Sequence, residues 1–140
     1  MPTFHFPLAA HYRDVAGLGL QPVLDTTLFF GASMAGAPGL IDSGANATVF
    51  SRDVAEALGI EDLFSGQRAT GRTLAGTFDY YLFDLEIEIR FPKFAKRFRA
   101  QIGFFAVATS RNILGRNLLF AHFMIGIRER TQEIYLSPEE

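Results

Sequence analysis

The chain has no cysteine and no tryptophan. Without cysteine there is no disulfide and no thiolate metal site, and the composition fits a reducing compartment. Its histidines, His5, His11 and His122, are scattered without metal-ligand spacing. No excess of charge stands out either: a formal net charge of −2 implies no strong pull toward nucleic acid or an anionic membrane. The most apolar stretch, Leu118 to Ile127, is interrupted by His122 and is too short to span a bilayer. The opening residues, MPTFHFPLAAHYRDV, lack a positive segment followed by a long apolar one, so no signal peptide is expected. Internal repeats, low-complexity tracts and linkers are missing as well. The expectation is a soluble cytoplasmic protein.

What is present suits one folded domain over residues 1–140. Hydrophobic residues make up 49% of the chain, and fifteen phenylalanines supply core material. Residues 3–9 alternate weakly, as an edge strand would, and 10–21 read as a loop freed by Gly17 and Gly19. Val23 to Phe30 is rich in β-branched and aromatic residues and predicts a strand. Gly31 to Gly36 predicts a turn, after which Leu40-Ile41 enters a buried strand ending at Asp42. Ser51 to Ile60 predicts a short helix capped by Ser51, with Asp53 in its first turn, Gly59 at its end, and Val54 and Leu58 facing the core.

From Gln67 to Ile89 the pattern is that of strands. Gly71 and Gly76 bracket a hairpin tip. Asp84-Leu85-Glu86-Ile87-Glu88-Ile89 alternates acidic with aliphatic, and Lys96 to Val107 answers it with Arg97, Arg99 and Gln101 on one face. Cross-strand pairing then accounts for the basic cluster Arg90, Lys93, Lys96, Arg97 and Arg99 without nucleic acid. Ile113-Leu114 predicts a short strand, Arg116 to Phe123 a helix, and Met124–Arg128 with Glu133–Leu136 a final strand pair. Many short strands, few helices and no βαβ alternation point to a mainly β barrel with one or two helices.

Asp42-Ser43-Gly44-Ala45, behind the apolar lead Pro38-Gly39-Leu40-Ile41, sets a carboxylate where a buried strand must turn sharply. Alone, such a tripeptide is common in tight turns. A second element, Asn112-Ile113-Leu114-Gly115-Arg116-Asn117-Leu118-Leu119, follows much later, and the glycine-bracketed hairpin lies between. Together the three resemble the retropepsin-like aspartic proteases, the family of retroviral proteases and their bacterial relatives, over roughly residues 23–136.

The resemblance implies a closed retropepsin-like barrel with a flap hairpin and one catalytic aspartate per chain, Asp42. Two copies must then meet as a homodimer, giving two carboxylates that share one proton and activate a water against a peptide bond. No metal or cofactor is needed, and the partner besides a second copy is a peptide or protein substrate. By matching position, Ser43 would hydrogen-bond across the dimer axis, Gly44 would admit close backbone approach, and Ala45 would sit beside bound peptide. Gly71, Arg72, Thr73, Leu74, Ala75 and Gly76 would form the flap. Ile113, Leu114 and Gly115 would line or support the pocket floor. Asn46, Arg116 and Asn117 would brace the site and dimer. Phe78, Phe104 and Phe105 are further candidates for a hydrophobic groove.

One departure concerns the position after Ala45. Retroviral members carry an acidic residue there, paired with the arginine matched by Arg116; this chain has Asn46. The termini also do not look like the short interleaved ends of the retroviral enzymes, so other strands are expected at the dimer contact. Two other readings of the same residues are a non-catalytic peptide-binding module and a protease dormant until a precursor or partner aligns two copies.

Overall fold

The computed structural model describes residues 1–139. Glu140, the last residue of the expected domain, lies outside the described residues. The chain is mainly β. In order it forms β1 (Leu8–His11), β2 (Arg13–Asp14), β3 (Leu20–Gln21), β4 (Val23–Phe30), β5 (Ser33–Ile41) and β6 (Val49–Phe50). Then come helix α1 (Arg52–Ala57), a single 3₁₀ turn (Leu63–Ser65), β7 (Gln67–Thr73), β8 (Gly76–Phe91), β9 (Phe94–Phe105) and β10 (Ile113–Leu114). A π-helical segment (Arg116–Phe120), β11 (Phe123–Arg128) and β12 (Glu133–Pro138) complete it. None of the described helices is long and apolar enough to cross a membrane.

The main sheet has the order β4-β5-β10-β6-β9-β8-β7, and β4 also pairs with β8 from Asp25↔Arg90 to Phe29↔Glu86. The pairing therefore runs in a circuit that returns to β4. One side of this circuit holds the core: Leu24 and Leu28 on β4, Ile41 on β5, Phe50 on β6, Leu85, Ile87 and Ile89 on β8, Phe98, Ile102 and Phe104 on β9, and Leu114 on β10. Burial of such side chains away from water is the main favourable term, about 1.5–3 kcal/mol for each large one. A separate sheet, β1-β12-β11, adds Ile134 and Leu136 to that core.

The strict alternation of residues 84–89 is realised as expected. Leu85, Ile87 and Ile89 are buried, while Glu86 and Glu88 stand opposite Arg99 and Arg97. Arg97 reaches Glu86 at 3.4 Å and Glu88 at 3.9 Å and lies 3.8 Å from the centre of the Phe29 ring. These exposed pairs are worth at most about 1 kcal/mol each. They set which face is wet more than they hold the fold.

Several expectations need correction. The turn predicted over 31–36 is confined to Gly31-Ala32, with Gly31 at φ 58°, and Ser33 already begins β5. Small residues of low strand propensity are held extended there by continuous pairing with β4, Thr27↔Gly36 among the pairs. The N-terminal strand runs over Leu8–His11, not 3–9, because its pairing with β12 starts at Leu8↔Leu136. The loop over 10–21 contains the small β2–β3 ribbon, turned through Gly17 and Gly19 at positive φ. Helix α1 is shorter than 51–60, although Ser51 does cap it, accepting from Asp53 N–H at 3.4 Å. Phe123 belongs to β11, not to the preceding helical segment.

Candidate active site

Asp42 follows directly on β5, whose last pairs place Leu40 beside Ile113 and Ile41 beside Leu114. Its own N–H donates to the Leu114 carbonyl at 3.1 Å. The chain then turns: Gly44 N–H donates to Asp42 Oδ1 at 2.9 Å and Ala45 N–H to the Asp42 carbonyl at 3.3 Å. The carboxylate is half-buried, while Ser43, Gly44 and Asn46 are exposed. A Cβ on Gly44 would stand 3.2 Å from Asp42 Oδ1, so the absence of a side chain leaves that oxygen room.

The 42–48 loop and the 115–117 segment are laced together. Arg116 N–H donates to the Ala45 carbonyl at 2.8 Å, and Asn117 N–H to the Asn46 carbonyl at 3.1 Å. The Arg116 guanidinium donates to the Ser43 carbonyl at 2.7 Å and to Asn46 Oδ1. Gly115 lies so close under the loop that a Cβ there would fall 2.2 Å from the Ala47 carbonyl oxygen. Glycine is required at this point by the approach of two backbones.

Thr48, Gln101 and Asn112 complete the lacing; the sequence reading passed over Thr48, placed Gln101 only on a strand face and named Asn112 only as the head of the second motif. Thr48 Oγ1 donates to Asn117 Oδ1 at 2.8 Å and accepts from Gly115 N–H at 3.1 Å; Thr48 and Gly115 are buried, and Asn117 is exposed. Asn117 Nδ2 donates to the Gln101 carbonyl at 3.3 Å. Asn112 donates to the Pro38 carbonyl at 2.9 Å and accepts from Ser51 N–H at 2.8 Å. The available signal was a single polar residue, Thr48, abutting the apolar pair Val49-Phe50: a buried hydroxyl needs partners.

The remaining candidates are placed as follows. Ile113 is half-buried, whereas Leu114 is fully buried beneath Gly39, in a position to support a floor rather than line it. Residues 71–76 form the end of the β7–β8 hairpin, with Leu74-Ala75 as the turn and Gly76 at φ 128°. Gly71 does not bracket the tip. It pairs with Phe78 inside the hairpin, and the Phe78 ring fills the space above it. Thr73 Oγ1 donates to the Gly76 carbonyl at 3.1 Å and accepts from Ala75 N–H at 3.2 Å. None of these hydrogen bonds joins the hairpin tip to the Asp42 loop.

Strand register gives the site a second apolar surface. Directly paired residues point to the same side of a sheet. Val23↔Leu40, Leu40↔Ile113, Ile113↔Val49, Val49↔Gly103 and Gly103↔Leu82 therefore share one side, and Tyr80↔Phe105 continues it; Val23 and Val49 are buried there, and Leu40, Ile113 and Leu82 are half-buried. Asp42, two residues after Leu40, has the same parity. Phe78 packs against Phe105 with ring centres 5.3 Å apart. Phe104, by contrast, is fully buried on the core side. A cleft of about 710 Å³ lies elsewhere, lined by Arg13, Asp25, Gly36 and Arg90 among others and by no residue of the Asp42 loop. The carboxylate and its bracing decide the choice of site here, not cavity size. Among the described residues no group of three or more His, Cys, Asp or Glu side chains is placed to hold a metal ion.

The aspartyl protease family profile matches residues 33–118, a span holding the Asp42 loop, the β7–β8 hairpin and the 113–117 segment. The chain belongs to that family, in its retropepsin-like branch. Comparison with curated proteins gives no match.

Proposed function

We propose that the protein is an aspartic endopeptidase acting as a symmetric homodimer, with one Asp42 from each subunit. The observation that carries the reading is the lacing of the Asp42 loop to Gly115-Arg116-Asn117, which fixes a half-buried carboxylate at a strand end. The return of the pairing circuit from β8 to β4 supports the closed retropepsin-like barrel behind it. One chain supplies one such aspartate, and a two-fold axis through the site supplies the other.

Two facing carboxylates cannot both ionise, so the dyad holds one proton and titrates as a unit. The ionised member takes a proton from a bound water. The resulting hydroxide attacks the scissile carbonyl carbon, and the protonated member donates to the carbonyl oxygen. Collapse of the tetrahedral intermediate returns a proton to the leaving nitrogen and breaks the C–N bond. Gly44 keeps Asp42 Oδ1 unobstructed, Arg116 and Asn46 hold the loop, and Ser43 and Ala45 face the partner loop and the peptide. An extended substrate lies as a strand across the surface of Leu40, Ile113 and Leu82, with residues 71–76 closing over it as a flap. The compartment that suits a chain without cysteine is the cytoplasm.

Cleavage of a peptide library by the wild type and by Asp42→Asn tests this, with and without a pepstatin-type inhibitor. Cleavage abolished by the substitution and blocked by the inhibitor is expected. Equal residual cleavage by both proteins overturns the reading.

A further inference from the structure

The cleft of about 710 Å³ that lies apart from the Asp42 loop is bounded by the β1–β2 arm on one side and by β4, β5 and the end of β8 on the other. Its size is that of a small-molecule site. Strand register explains the hollow. Asp25↔Pro38 and Thr27↔Gly36 are successive pairs on the side of β4 away from Leu24 and Leu28. The next pair on that side, Phe29↔Met34, is covered by Arg97, 3.8 Å from the centre of the Phe29 ring. Between the arm and that stack, Gly36 leaves the floor without a side chain. Packing does not demand this glycine. Its φ is not positive, and a Cβ would meet only the Thr26 carbonyl oxygen, at an ordinary 3.8 Å. A glycine inside a strand weakens it and marks a place where something approaches closely.

Thr27, directly opposite Gly36, lines the cleft and is only 7% exposed, yet nothing among the described residues is hydrogen-bonded to its hydroxyl. Its neighbour Thr26, by contrast, donates to the Ala37 carbonyl at 2.7 Å. A buried hydroxyl left free at the bottom of a hollow lacks the partner that buried polar groups normally have. The rim above it is cationic. Arg13 from the arm and Arg90 from β8 line the cleft against one aspartate, Asp25. Asp25 stands opposite Arg90 but bonds Arg13, at 2.7 Å, while Arg90 leans on Glu88 at 3.5 Å, a carboxylate that Arg97 also approaches. Both contacts are exposed and therefore weak. Each engages one nitrogen of a guanidinium that carries five N–H donors, so both forks keep donors for an incoming oxyanion.

We propose that this cleft binds a small molecule with an apolar body and one oxyanion head, a carboxylate or a phosphate. Arg13, Arg90 and the Thr27 hydroxyl take the head, and the body lies over Gly36 against Pro38 and Pro92. An extended peptide does not fit the floor. From Asp25 to Phe29, β4 is paired on both sides, to β5 and to β8, so no strand edge is free for a peptide to add to. Recognition there falls to side chains, as it does for small ligands. The site holds no residue of the Asp42 loop and does not depend on the protease reading.

Titration of the isotope-labelled protein with phenyl phosphate, benzoate and neutral benzamide, followed by NMR of the backbone amides, tests the site without reference to cleavage. Saturable shifts at Thr27 and Gly36 are expected with at least one of the two anions. The dissociation constant should be about 1 mM or below, the scale for ligands of this size. Benzamide should bind at least about ten-fold more weakly. The anion that binds more tightly names the head group. Arg13→Gln and Arg90→Gln should each raise its dissociation constant about ten-fold. Gly36→Leu should abolish binding by filling the hollow, and Arg68→Gln, an exposed position on β7, should change nothing. Gly36→Leu should also melt no lower than wild type, because the space is open and the strand gains a better strand former, which separates occlusion from unfolding. Absence of saturable shifts, benzamide binding as tightly as the anions, or binding unmoved by both arginine substitutions overturns the proposal.

Discussion

Thr48 Oγ1 and Asn117 Oδ1 lie 2.8 Å apart, in a place where Thr48 has no exposure to water. The same hydroxyl accepts the Gly115 N–H, so one side chain ties the end of the Asp42 loop to both residues flanking Arg116. Thr48→Val keeps the shape and deletes both bonds. It leaves the buried Gly115 N–H without a partner, at about 1–3 kcal/mol, while the exposed Asn117 amide can turn to water. A fall of that size in unfolding free energy, from denaturant titration at constant m-value, is the expected outcome.

Two glycines of the site should separate stability from chemistry. Gly115→Ala drives a methyl group to 2.2 Å from the Ala47 carbonyl oxygen, a backbone atom that has little room to yield. It should cost about 3 kcal/mol or more, visible as a collapse in thermal midpoint. Gly44→Ala meets only a side-chain oxygen, Asp42 Oδ1, at 3.2 Å. The fold should lose less than about 1 kcal/mol, whereas displacing the carboxylate from its working position should lower kcat about a hundred-fold. Matched unfolding curves and peptide-cleavage rates for the two variants check this contrast.

Much of this arrangement was legible in the sequence, and the parts that were not share a cause. The Asp84–Ile89 alternation and its answer over 96–107 could be read because a half-buried hairpin imprints a period of two on local sequence. Ser51 was legible as a cap from its place before an apolar turn. The pairing of Asp25 with Arg90 was not, since no local pattern announces which distant strand returns to β4. Nor was the extension of β5 back to Ser33: Ser33, Met34, Ala35 and Gly36 read as turn residues until a partner strand holds them. At the site, two motifs named Asp42 and Arg116, but Thr48 and Gln101, which brace Asn117, act through a hydroxyl and a backbone carbonyl that carry no spacing signal.

Asn46 accepts from Arg116 in an exposed setting. Asn46→Asp turns this bond into an ion pair, which at the surface is worth at most about 1 kcal/mol. The variant should be slightly more stable than wild type at low ionic strength. The gain should fade toward about 1 M salt, where the screening length falls to about 3 Å. Thermal midpoints measured across a salt series check the sign and its loss. A gain that persists at high salt would place its origin elsewhere than in charge.

Leu74 stands fully exposed at the turn of the β7–β8 hairpin, where a large apolar side chain contributes nothing to the fold of a single chain. The hydrogen bonds that shape this turn come from Thr73, Ala75 and Gly76, and none needs the leucine side chain. Leu74→Ser should therefore leave unfolding free energy within about 0.5 kcal/mol of wild type. If residues 71–76 close over bound peptide, the leucine meets substrate in the closed state and its apolar contact is lost on substitution. A fall in kcat/KM of about ten-fold is then expected, the scale of one apolar side chain no longer buried. Truncating Phe78 to leucine, further down the hairpin and packed on Gly71, should by contrast lower stability, because its ring is part of the fold. Unchanged cleavage by Leu74→Ser would remove the hairpin tip from the reaction while leaving the role of Asp42 intact.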